Sequence, residues 1–103
     1  MNKQIFNELL SRYEKELSEN ILLDGTFHVD VEYDIENIHY DLTSTLYSEC
    51  SVEYSEDYPP DLSSVNIVEQ YSSLWSVDDE GTYRYYDDEC EEIVKTAIGG
   101  FLV

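Results

Sequence analysis

The sequence predicts an α+β fold: an N-terminal helix, an antiparallel meander of three to four strands and a C-terminal helix, in a single compact domain over residues 1–103. Three observations lead there. Apolar residues recur at helical spacing near both ends of the chain. Between them the period switches to two, as half-buried strands require. The strand-like runs are broken by turn signals at Asp24-Gly25, at Pro59-Pro60 and at Asp78-Asp79-Glu80-Gly81.

The first helix follows from Ile5, Phe6, Leu9, Leu10, Tyr13 and Leu17, which share a face while Lys3, Glu8, Arg12, Glu14, Lys15 and Glu16 lie mostly elsewhere. Glu8 and Arg12 form a favourable i,i+4 pair. The helix is expected to stop near Asn20, because Asp24-Gly25 supplies a turn. From Thr26 to Ile35 the chain alternates. Phe27, Val29, Val31, Tyr33 and Ile35 point one way, and His28, Asp30, Glu32, Asp34 and then Glu36 the other.

After Asn37 the alternation weakens, with Tyr40, Leu42, Leu46, Cys50, Val52 and Tyr54 on one parity, so one long bent strand and two shorter ones both fit. Pro59 and Pro60 lack an amide proton, which makes Ser55–Ser64 a loop. Val65–Tyr71 reads as a further strand, with Leu74–Val77 continuing it past a kink at Ser72-Ser73, and Asp78-Asp79-Glu80-Gly81 marks a turn. Tyr86, Cys90, Ile93, Val94, Ala97 and Ile98 give the last helix its apolar face. Asp87, Asp88, Glu89, Glu91 and Glu92 crowd its start, where the helix dipole favours them. Gly99-Gly100 is expected to end it, leaving Phe101-Leu102-Val103 to tuck against the core or a partner chain.

Charge is the outlying property. The chain carries 24 acids against 5 Lys and Arg, a formal net charge of −19, yet 42% of its residues are apolar and it has enough to bury to fold. Between Lys15 and Arg84 there is no cation, while 17 acids fall in the gap. Self-repulsion of this size opposes compaction. Such a surface repels nucleic acid and anionic membranes, so the expected partner is a basic protein surface. The N-terminal residues are interrupted by charge too often for a signal-peptide core, and no apolar run reaches membrane-spanning length, which points to a cytoplasmic protein. Cys50 and Cys90 are then expected as reduced, buried small hydrophobes.

No catalytic or cofactor motif competes for the function. Asp30-x-Glu32-x-Asp34 begins like a calcium loop, but Ile35 stands where the glycine is needed and Asp41 where the bidentate Glu belongs. Carboxylates on alternate strand residues also lie roughly 6.6–6.8 Å apart, too far to share an ion without a second segment. His28, His39, Cys50 and Cys90 lack zinc-ligand spacing, and nucleophile-elbow, phosphate-loop and dinucleotide fingerprints are absent. The expectation is a protein that is not an enzyme and uses no cofactor or metal. Ten tyrosines are more informative. Tyr13, Tyr33 and Tyr86 suit the core, whereas Tyr58, Tyr83 and Tyr85 suit exposed anchors at an interface equally well.

In size, charge and α+β build the chain is similar to the small acidic DNA-mimic inhibitors of phages and mobile elements. That resemblance implies an inhibitor that occupies the basic DNA- or RNA-binding groove of a nuclease, CRISPR, restriction or repair protein. The residues expected to contact the partner are Asp30, Glu32, Asp34 and Glu36 on the first strand, Glu53, Glu56, Asp57, Tyr58 and Asp61 around the prolines, and Asp78, Asp79 and Glu80 at the later turn. The alternative is a small non-enzymatic structural or interaction protein of a phage or accessory element that binds a basic partner without mimicry or forms a homodimer.

Overall fold

The computed structural model describes residues 1–21, 25–50 and 65–101, and for Cys50, Val65 and Phe101 the backbone alone. Helix α1 (Lys3–Asn20) is followed by strands β1 (Gly25–Ile35), β2 (Ile38–Cys50), β3 (Val65–Val77) and β4 (Tyr83–Tyr85), and by helix α2 (Asp87–Phe101). The strands form one antiparallel sheet in the order β1-β2-β3-β4. This is the predicted α+β meander, with four strands.

Each element forms where its side chains favour it. Asn2 caps α1, its Oδ1 accepting from the Gln4 amide at 2.7 Å, and Leu9, Tyr13 and Leu17 bury the stripe that the spacing requires. β1 buries Phe27, Val29 and Val31 and exposes the residues between them. A two-residue turn at Glu36-Asn37, both with positive φ (52° and 65°), closes the β1–β2 hairpin and matches the right-handed twist of the strands. Both helices lie on one face of the sheet, where Leu42, Leu46, Ile67 and Leu74 meet Leu9, Tyr13, Ile93, Val94 and Ala97. Burying a side chain of this size fully is worth about 1.5–3 kcal/mol.

Two local expectations change, and one open alternative narrows. β3 runs straight through Ser72-Ser73, and its irregularity is instead a bulge at Gln70, where Glu69 opposes Leu46 and Tyr71 opposes Thr45. Gly99-Gly100 does not end α2: neither glycine takes the left-handed conformation that stops a helix, and the helix continues to Phe101. A glycine costs a helix about 1 kcal/mol against alanine without breaking it. β2 is a single strand as far as Cys50, while Val52, Tyr54 and the proline loop lie outside the described residues.

Candidate protein-binding face

The register sets the composition of the sheet's other face, which no described element covers. Residues directly opposite in an antiparallel pair share a face. One rung therefore crosses from Glu32 through Asp41 and Trp75 to Tyr85, and the next from Asp34 through His39 and Val77 to Tyr83. Below them run Asp30, Thr43 and Ser73, then His28, Thr45 and Tyr71. Each rung starts polar or acidic on β1, and three of these four reach an aromatic on β3 or β4.

The aromatic half is exposed: Tyr71 retains 65% of its accessible surface, Tyr83 58% and Tyr85 70%. Half-buried Trp75 links Tyr83 to β2, its ring 5.5 Å from that of Tyr83 and 5.9 Å from the imidazole of His39. Ring pairs at such separations are worth about 0.5–1.5 kcal/mol beyond their buried area. Tyr83 and Tyr85 thus occupy exposed positions, as an anchor role requires.

The acidic half is mutually repulsive. Burial raises the pKa of Asp41 above the ordinary carboxylate value, Glu32 and Asp30 add to the rise, and His39 opposes it. The imidazole Nδ1 of His39 lies 2.7 Å from Asp34 Oδ1. Glu32, His39 and Asp41 bring one ligand atom each within 4.8 Å of one another, so the second strand supplies the convergence that a single strand lacks. A carboxylate–imidazole–carboxylate set of this kind suits a divalent cation of the zinc or manganese type.

No lysine or arginine lies on this face. Lys3, Arg12 and Lys15 belong to α1, Lys95 belongs to α2, and Arg84 sits opposite buried Ser76 on the helical side. Arg12 is further tied down: its Nε donates to Glu8 at 2.8 Å, its Nη1 to the Glu32 carbonyl at 3.1 Å, and its guanidinium lies 4.7 Å from the centre of the Tyr33 ring. The cations are confined to the helical side of the sheet, where they are mixed with acids, and the open face carries acids alone.

No protein-family model, curated protein or solved structure matches the chain.

Of the expected contact residues, Asp30, Glu32 and Asp34 share the open face. Glu36 is exposed in the β1–β2 turn at the end of that face. Asp78 is committed elsewhere: its Oδ1 accepts from the amides of Glu80 and Thr82 at 3.0 and 2.9 Å and so builds the β3–β4 turn. Asp79 and Glu80 are exposed on the same turn. Glu53, Glu56, Asp57, Tyr58 and Asp61 lie outside the described residues. Sequence reasoning missed Asp41, His39, Trp75 and Tyr71. The signal available was parity, because Asp41 sits between Tyr40 and Leu42 and must face away from the core.

Among the described residues, no helix is long and apolar enough to cross a membrane. Cys90 is buried, and burial pushes its thiol up to about 11, in keeping with a packing role.

Proposed function

We propose that this chain is a non-enzymatic binding module whose open sheet face docks on a basic protein surface, and that the surface is the DNA- or RNA-binding groove of a partner which the chain occludes. The carrying observation is the pairing of cation-free acids on β1 and β2 with exposed aromatics on β3 and β4. Carboxylates steer encounter and pair with lysine and arginine, while Tyr71, Tyr83 and Tyr85 give apolar and cation–π contact to the same side chains. Nucleic-acid-binding grooves are where such basic surfaces are densest. The spacing of roughly 6.6–6.8 Å along β1 offers them a regular line of negative charge.

The test is capture of host proteins on the immobilised chain at low and at high salt, followed by elution with duplex DNA. The expected result is a nucleic-acid-binding protein that is retained at low salt and displaced by DNA. A combined Asp30→Lys, Glu32→Lys and Asp34→Lys variant is expected to keep its circular dichroism and lose that protein. A captured protein indifferent to salt and DNA overturns mimicry, and retention by the triple variant overturns the choice of face.

A further inference from the structure

A second docking feature lies away from the open face, along the far edge of β3. That strand runs from Val65 to Val77, but β4 pairs with only Trp75, Ser76 and Val77. The Tyr86 amide extends the protection by one bond, donating to the Leu74 carbonyl at 2.9 Å. From Asn66 to Ser73 no described strand pairs with β3 on the side away from β2. Val68, Glu69, Gln70 and Tyr71 are exposed there.

Beside this edge runs α2, and the two leave between them an open groove of about 790 Å³. Its floor is apolar, formed by Ile67 from the strand and Cys90, Val94 and Ile98 from the helix. Glu69, Asp87 and Glu91 stand at its sides. The one cation in the lining, Lys95, has its ammonium 2.6 Å from Glu91 and is already paired.

We propose that this groove is a strand-addition site that takes an extended segment of a basic partner. Unpaired amides and carbonyls on a sheet edge are a ready template for another strand, and a helix laid alongside turns the edge into a groove that reads alternate side chains. An added strand directs every second side chain toward α2. There an apolar side chain meets Ile67, Val94 and Ile98, and a neighbouring lysine or arginine reaches Glu69, Asp87 or Glu91. Charge decides between occupants. A second copy of this chain would bring its own Glu69 and its formal charge of −19 against the same carboxylates. The bulge at Gln70 interrupts the edge, so the ladder is short and the side-chain contacts in the groove contribute much of the specificity.

The probe is a synthetic peptide about eight residues long, alternating valine and lysine, titrated into the full chain with backbone amide resonances as the readout. Signals from Asn66–Ser73 and from α2 are expected to move saturably. N-methylation of alternate peptide amides, which removes the ladder and keeps the charge, is expected to weaken binding about tenfold or more, as is Glu69→Lys. The variant reversed at Asp30, Glu32 and Asp34 is expected to bind the peptide still, which separates this site from the open face. No saturable shift at about 1 mM peptide, indifference to N-methylation, or shifts confined to β1 and β2 would each overturn the proposal.

Discussion

Glu32 and Asp41 stand directly opposite each other on β1 and β2, two carboxylates in register on an open face with no lysine or arginine beside them. Like charges in this position are destabilising. With its folded pKa raised, Asp41 favours the protonated native state: the stability this contributes is fully present below its unfolded value, near 3.8, and is lost as pH rises through the higher folded value. Two substitutions should therefore stabilise the protein at neutral pH. Glu32→Lys turns the pair attractive, and Asp41→Asn removes the charge. Each is expected to raise the melting temperature at neutral pH, by the equivalent of about 0.2–1 kcal/mol for Glu32→Lys, and Asp41→Asn to remove the part of the stability that is lost as pH rises above about 3.8. A fall in melting temperature for both would show that the pair is not repulsive.

Glu36 holds φ at 52° in the β1–β2 turn, a conformation that asparagine tolerates better than glutamate. Glu36→Asn, preceding Asn37, should stabilise the hairpin by up to about 1 kcal/mol, measured by urea denaturation at unchanged m-value.

Tyr13 is fully buried, and its hydroxyl has no hydrogen-bond partner of good geometry, although Ser44 lies close enough to oppose the rise that burial imposes on its pKa. Ser44 is itself bonded to Ser72 at 2.8 Å. Tyr13→Phe keeps the ring and deletes the orphaned group, and should stabilise the protein by about 1 kcal/mol. The native pKa is pushed up to about 12 from 10.0, so the unfolded state ionises first as pH rises. Stability should fall above about pH 10 in the parent and fall less in the variant, as followed by tyrosinate absorbance with circular dichroism.

Adjacent residues on β2 provide a test of the strand faces. Leu42 is fully buried against the helices and Thr43 half-buried on the open face. Leu42→Ala should cost about 2–5 kcal/mol and Thr43→Ala under about 1 kcal/mol. Equal costs would contradict the assigned orientation.

How much of this was legible in the sequence depended on how fully each segment obeys its period. β1 was readable because one parity is apolar and the other almost wholly acidic. β2 was blurred because Ser44 and Ser48 occupy buried positions, which breaks the hydrophobic alternation without breaking the strand. A bulge adds one residue and leaves apolar side chains on both sides of it, so β3 looked kinked at its serines. β4 has three residues, too few to show a period. The candidate face was half legible: its acids lie on one strand, but their juxtaposition with His39, Asp41 and Trp75 is a property of register, which depends on the Glu36-Asn37 turn and on the pairing across the sheet.

The segregation of charge has a colloidal consequence. A sheet face that exposes Tyr71, Tyr83 and Tyr85 would ordinarily invite a second copy of itself. Here two such faces approaching each other bring like-charged carboxylates together, which opposes pairing of the aromatics at neutral pH. That guard is a matter of ionisation and fails near the isoelectric point of about 4.1, where the same surface becomes adhesive to its own kind.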